Sequence, residues 1–402
     1  MSKFRVEIGI LAVKFNEMKD SKEFGINTIC VHTGEVKDTQ FKGAVSPMFV
    51  STSYAFEGVD VKRYPRYFNT PNQEMLCKKI AALEHTEDGL IFGSGMAAIS
   101  SAMFAFLKTG DHVILQQVIY GGTFNLVVSE FEKYGIEYSF TESDKVADFK
   151  ALIKKNTKIL YIETPSNPLL GITDLNAISS LASEHKIITM IDNTFASPIN
   201  QNPADFGIDI ILHSATKYMG GHSDISAGAI AASKEHIAQI WKTAINFGGN
   251  LSDYTVWLLE RSLKTLNIRV KEQTKNAHEM AVYLENNAQI DRVYYPGLKS
   301  HPQYALAKKQ MKGFGAMLSF ELREGIDAMD FQNALKLIKP SMSLAGLEST
   351  TVSPAQTTHA LLSEEERLER GIRDGLIRFS VGIEESQDLI EDIEQALLAC
   401  AK

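Results

Sequence analysis

Cysteine is nearly absent: Cys30, Cys77 and Cys400 are the only three in 402 residues. They are odd in number and far apart, so neither a disulfide framework nor a zinc-ligand spacing can be drawn. A reducing compartment, the cytoplasm, is the expected place of action. No apolar run reaches the roughly 18 residues of a membrane span. The apolar stretch Val6 to Val13 is interrupted by Glu7 and lacks a small-residue cleavage site after it, so it reads as an arm or upstream extension, not a signal peptide. A basic excess is missing too. The net charge of −8 argues against a general nucleic-acid or anionic-membrane binder. No internal repeat or low-complexity segment occurs. The rest is ordinary for a globular protein, 44% hydrophobic and 22% charged, in a chain long enough for a large core and about two domains.

Residues 1 to 60 read as an irregular arm rich in Gly, Pro, Ser and Thr clusters. From about 75 to 230 helical and strand patterns alternate. EMLCKKIAALEHT and MAAISSAMFAFLKTG have helical periodicity, and DLNAISSLASEHK is a helix with Asp174 or Thr173 as its cap. GLIFGSG, DHVILQQ, IEYSFTE, KILYIETPSNP, KIITMIDNTF, DIILHSATK and AGAIAAS read as strands. Repeated strand–helix–strand units predict a mostly parallel sheet covered on both faces. From about 255 one long helical stretch runs through LLERSLKTLNIRVKEQTKNAHEMAVYLENNA. Strands at RVYYPG, GAMLSFEL and LIRFSVGIE follow, which predicts a smaller α+β domain. The expected division is an arm over 1–60, an α/β domain over 61–254 and an α+β domain over 255–402.

Open parallel sheets bind ligands beyond the carboxyl ends of their strands, and unusual polar groups cluster at such ends here. IFGSGMAA places Gly93, Ser94, Gly95 and Met96 where a strand turns into a helix, a position suited to phosphate. The same glycines serve a tight turn. They also fit a dinucleotide fingerprint, but the next strand ends in Gln116-Gln117, where that reading needs an acid. Tyr120 can lie flat on a ring-shaped cofactor or pack on the surface. Asn167 can bond a ligand oxygen or shape a turn. Asp192, directly after a buried run, needs a cationic or N–H partner, in a ligand or in a loop that it caps. Lys217 follows the strand Ile210 to Leu212 among the hydroxyls of Ser214 and Thr216. It is either a solvated surface charge or a partly desolvated nucleophile. Together these residues meet the needs of pyridoxal phosphate (PLP): a Schiff-base lysine, an acid for the ring nitrogen, a stacking aromatic and a phosphate cup. Ser214 and Thr216 then face the phosphate.

At this point the chain resembles the trans-sulfuration, or Cys/Met-metabolism, family of PLP-dependent enzymes. IDNTFASP followed by DIILHSATKYMGGHSD carries the likeness, which extends from CVHTGE to LIRFSVGIE. The resemblance implies the PLP-dependent transferase fold, aspartate aminotransferase-like (fold type I). It implies phosphate contacts from the backbone of Gly95 and Met96, stacking by Tyr120, and contact of Asn167 with the ring's phenolic oxygen. Asp192 would hold the ring nitrogen protonated, and Lys217 would carry the cofactor and act as base. Tyr64 and Arg66, in RYPRYFN, would reach the phosphate of a neighbouring subunit. Arg378 would bind the substrate carboxylate with Ser343 nearby. At least a dimer follows, and a homotetramer built from dimers that share active sites is expected, the arm contributing contacts.

The expected reaction is cleavage of a carbon–sulfur bond in a sulfur amino acid such as L-cystathionine. Lys217 or Tyr120 would protonate the departing thiolate. Met342 stands where γ-synthases and γ-lyases of the family often have Glu; an apolar residue there resembles β-lyases and methionine lyases. Gly122 replaces the cysteine usual in methionine γ-lyases. Asn69-Thr70-Pro71-Asn72 departs from the usual Asn-Pro-Thr. Cystathionine γ-synthase, O-acylhomoserine sulfhydrylase and cystathionine or methionine γ-lyase are the alternatives within the family. Outside it stand a PLP-binding protein without turnover and a nicotinamide dehydrogenase.

Overall fold

The computed structural model describes residues 24–357, 360 and 363–400; the Val6–Val13 stretch lies outside them. Seven strands build the larger sheet: β1 Asp88–Phe92, β2 His112–Leu115, β3 Glu137–Phe140, β4 Thr157–Glu163, β5 Ile188–Asp192, β6 Ile210–His213 and β7 Gly228–Ala232. Their order is β1-β7-β6-β5-β4-β2-β3. The four pairings from β6 to β3 are parallel, and β7 runs antiparallel to both its neighbours. The sheet is thus mostly parallel, as expected, with AGAIAAS as its one reversed strand. The carboxyl ends of the other six strands meet the start of β7 along one edge.

Alternation along the strands fills two apolar clusters. Tyr161, Met190, Leu212 and Ile230 face one side, and Ile162, Ile191, Ile211 and Ala231 the other. The helices Gly95–Phe106 and Lys234–Phe247 cover the first side. The helices Pro71–Leu83 and Leu175–His185 contribute to the second cluster. Burial on both faces is why these strands read as unbroken apolar runs. Truncating any of these large buried side chains to Ala would cost about 2–5 kcal/mol.

Five strands form the second sheet: β8 Ile290–Tyr294, β9 Met317–Leu322, β10 Lys339–Pro340, β11 Thr350–Val352 and β12 Leu376–Ser380, in the order β10-β11-β12-β9-β8. The helices Leu266–Glu285, Ala328–Ala334 and Ser386–Cys400 pack against it, and its core is continuous with that of the larger sheet. The single long helix expected after residue 255 is two helices, Asp253–Leu263 and Leu266–Glu285. Neither Gly nor Pro marks the break. Tertiary bonds hold it instead: Arg269 donates to the carbonyls of Ser262 and Tyr218 at 3.0 and 2.8 Å. The second of these bonds ties the long helix to the loop that carries Lys217.

The departure at residues 69–72 has a local explanation. Thr70 caps the helix Pro71–Leu83 in a reciprocal capping box with Gln73, and Pro71 sits at the first helical position, where its missing N–H costs nothing. Asn69 accepts from the backbone of Tyr64 at 2.9 Å, and Asn72 accepts from Phe49 and donates to Pro47. The four residues pin both the arm and the Tyr64–Arg66 turn.

Candidate active site

Four strand ends and one hairpin loop deliver the site. The loop between β6 and β7 closes on itself, because the Thr216 hydroxyl donates to the Ala227 carbonyl at 3.1 Å and accepts its N–H at 3.0 Å. The proton of Thr216 is thereby committed to the loop, and the residue reaches a phosphate as a donor only after that bond opens. The Ser214 N–H donates to Thr194 Oγ1 at 2.8 Å. Beside it the helix Gly95–Phe106 begins, capped by Ser94, which accepts from Ala97 at 3.1 Å. Gly95 is required by close approach, since a Cβ there would stand 2.9 Å from Ser214 Cβ and 3.0 Å from Ser214 Cα. The Gly95 and Met96 N–H groups belong to a first helical turn, which has no intrahelical acceptors, and they open beside Ser214. A doubly charged phosphate fits this cup.

Lys217 is half-buried, and its Nζ donates to Ser343 Oγ at 3.3 Å. Burial, and then the nearby Arg378 cation, lower its pKa below that of an ordinary lysine. Arg378 projects from β12 of the second sheet and is 3% exposed. It donates to Asn167 Oδ1 at 3.2 Å and to the Met342 carbonyl at 3.0 Å. Burial pulls its pKa down to about 10. The larger sheet thus contributes Lys217 and Asn167, the second sheet contributes Ser343 and Arg378, and the four meet in the cleft between them.

Asp192 ends β5, is 6% exposed and accepts the Thr194 N–H at 3.0 Å. Burial raises its pKa, with Thr194 and His213 opposing. A buried carboxylate with so few donors suits a protonated ring nitrogen. Tyr120 is half-exposed and stands beside Met96. A Cβ at Gly122 would lie 2.5 Å from Tyr120 Cε1 and 3.0 Å from Met96 Sδ, so a cysteine there would displace the ring. Gln116, where a dinucleotide reading needs an acid, clamps the backbone of Glu163 at both its N–H and its carbonyl.

Tyr64 and Arg66 do not join this group. Arg66 lies over the rings of Tyr64 and Tyr67 and donates to the Ile245 carbonyl at 2.5 Å, on an exposed part of the surface. Three further residues escaped the sequence reading. Glu163 ends β4 beside Asp192, and its Oε2 accepts the Tyr120 N–H at 2.7 Å. Glu84 and His213 form a buried pair at 2.5 Å, behind the strand ends. An acid closing the apolar run KILYI was the available signal for Glu163, the same one that singled out Asp192.

Residues 27–398 match the family described as Cys/Met metabolism PLP-dependent enzymes. The chain is 42% identical over 376 residues to a cystathionine beta-lyase of Lactococcus lactis subsp. cremoris, covering 92% of this chain and 98% of that protein. It is 39% identical over 393 residues to an L-methionine gamma-lyase of Fusobacterium nucleatum, covering 94% and 99%. The crystal structure of cystathionine gamma-lyase from Lactobacillus plantarum complexed with L-serine superposes with a TM-score of 0.90 at 37% identity, over 94% of this chain and 99% of that one. Fold and sequence agree: this chain belongs to the Cys/Met metabolism family of PLP-dependent enzymes, and its cofactor is pyridoxal 5′-phosphate.

Proposed function

We infer that the protein cleaves a carbon–sulfur bond of a sulfur amino acid such as L-cystathionine, by the β-lyase route. The observation that carries this is the meeting of Lys217 Nζ with Ser343 Oγ beside Arg378, a desolvated base next to a carboxylate receptor. Bound PLP supplies the electron sink that makes a Cα proton removable. Lys217 holds the cofactor and then takes that proton at Nζ, its lowered pKa favouring the free amine. Arg378 binds the substrate carboxylate through a planar fork, with Ser343 beside it. Asp192 would keep a proton on the ring nitrogen, and Asn167 would contact the phenolic oxygen. Tyr120 would cover the ring face, and it or Lys217 would donate a proton to the departing sulfur. Gly95, Met96 and Ser214, with Thr216 once its loop bond opens, would hold the phosphate.

Met342 favours the β-route. The residue is 66% exposed while its carbonyl is tied to Arg378, so the cleft entrance carries a thioether where γ-synthases and γ-lyases often have a carboxylate. The names of the relatives divide between β and γ, so products decide. Mass spectrometry after incubation with L-cystathionine is expected to give pyruvate, ammonia and homocysteine. The appearance of 2-oxobutyrate with cysteine would overturn the β assignment, and no cleavage would move it to γ-replacement on an O-acylated homoserine.

We also assign residues 1–60 as an arm, 61–254 as the cofactor domain and 255–402 as the C-terminal domain. The assembly is a homotetramer of dimers with shared sites. Tyr64 and Arg66 bond to Asn69 and Ile245 and stack on each other and Tyr67, and the arm exposes Phe41, Val45, Val50 and Phe56 at 57–79%. Both facts support shared sites. Among the described residues no helix is long and apolar enough to cross a membrane, and the cytoplasm is the proposed place of action.

A further inference from the structure

Glu163 and Asp192 are lateral partners on adjacent parallel strands, β4 and β5. Side chains of paired residues leave a sheet on the same face, and these two leave it on the face of Tyr161 and Met190. Both are buried, at 4% and 6% exposure. Neither touches an arginine or lysine. Asp192 accepts from Thr194, and Glu163 accepts from the backbone of Tyr120 and, as a lesser contribution, from that of Asn167. The titratable groups nearest the pair are the buried Tyr161 hydroxyl upstream on β4 and, on the opposite face, the His213 imidazole at the end of β6, which is turned to Glu84. Thr123 and Gln116 flank them without charge. Two adjacent buried carboxyls with so little compensation do not both ionise.

We propose that Glu163 is a positioning residue that stays a neutral carboxylic acid, seats Tyr120 through its backbone N–H, and leaves Asp192 as the one anion of the pair. Burial and the neighbouring Asp192 push the Glu163 carboxyl well above its usual range, in keeping with this. One side chain thus bonds the backbone of the ring-stacking residue and lies next to the ring-nitrogen acid in register. Glu163 touches neither substrate nor cofactor and acts through Tyr120 and Asp192. This rests on the roles assigned above to those two residues.

A glutamine mimics a neutral acid, since its carbonyl can accept from Tyr120 and it carries no charge beside Asp192. An alanine leaves the Tyr120 N–H unpaired. The test uses the purified enzyme and its E163Q and E163A variants. PLP dissociation constants are measured by equilibrium dialysis, the pH midpoint of the bound cofactor's visible absorbance is titrated, and pH-difference infrared spectra are recorded on the PLP-free proteins. In E163Q the dissociation constant is expected within about threefold of wild type, with an unmoved midpoint. In E163A the constant is expected to rise about tenfold or more. The PLP-free wild type is expected to show a buried carboxylic-acid band near neutral pH that E163Q lacks. A midpoint displaced by on the order of one or two pH units in E163Q would mean that Glu163 is an anion, as would absence of that band, and either overturns the proposal. Affinity in E163A equal to wild type overturns the seating of Tyr120. Failure of the wild type to bind PLP would instead strike the roles of Tyr120 and Asp192, while the infrared band still decides the proton on Glu163.

Discussion

Replacing Gly95 by Ala tests the phosphate cup through a single methyl group. The added Cβ would stand 2.9, 3.0 and 3.2 Å from Cβ, Cα and Oγ of Ser214. Carbon atoms in ordinary contact lie about 3.5–4.0 Å apart, so the helix start and the lysine loop must separate by roughly 0.5–1 Å. Neither can yield freely. Ser214 is tied to Thr194, and at Gly228 the backbone already crowds the Ser94 carbonyl. Overpacking of this kind costs about 1–3 kcal/mol. Ala is the better helix former by about 1 kcal/mol, which offsets part of that in the free protein. The bound state has no such offset. Misplacing one charge-assisted bond to phosphate costs about 1.5–3 kcal/mol, roughly 10- to 150-fold in affinity. Equilibrium dialysis with PLP is expected to show that loss in Gly95→Ala, with circular dichroism and melting temperature little changed. Gly25→Ala, whose Cβ meets nothing within 4 Å, serves as the control and is expected to be silent. An unchanged PLP affinity in a folded Gly95→Ala protein would refute the placement of the phosphate.

Arg378→Lys removes the planar fork and both its bonds, so kcat/KM for cystathionine is expected to fall about 10- to 150-fold, mainly through KM; an unaltered KM would place the carboxylate elsewhere. If sites are shared, mixing Arg66→Ala with Lys217→Ala subunits is expected to restore part of the activity that each lacks alone, and additive inactivity would count against sharing. His112 is fully buried between Thr157 and Ser139, and burial lowers its pKa to about 4, below the 6.5 of a free imidazole. The folded state therefore binds fewer protons than the unfolded one between those values. The stability involved is present above pH 6.5 and lost as pH falls to 4, on the order of 3 kcal/mol. Denaturant titrations of His112→Gln are expected to show a shallower pH slope across this window than wild type; equal slopes would mean that His112 does not contribute.

The alternation of helices and strands could be read from the chain because both faces of the larger sheet are buried and its strands are short apolar runs. Asp192 and Lys217 stood out because each interrupts or follows such a run with a charge. Residues whose work depends on distant partners were harder to see. Glu163 acquires its meaning from its register with Asp192, and Glu84 from His213, 129 positions away. The break between the helices Asp253–Leu263 and Leu266–Glu285 is set by Arg269 reaching another loop, which no local propensity encodes. The capping box at Thr70 was written in the sequence, but it lay inside a segment that family comparison marked only as a departure.

The reversed strand β7 has a consequence for how the site comes together during folding. Parallel neighbours in this sheet need long crossovers, and Arg378 must meet Asn167 across 211 positions of chain. The β6–β7 pairing is instead a hairpin, so the loop bearing Lys217 is bounded by strands only 14 residues apart in sequence, from His213 to Gly228, and its closure carries a small entropic cost. Lys217 is presented by low contact order, and Arg378 by high contact order. A partly assembled chain can therefore hold its lysine loop in shape before the cleft that discriminates substrates exists.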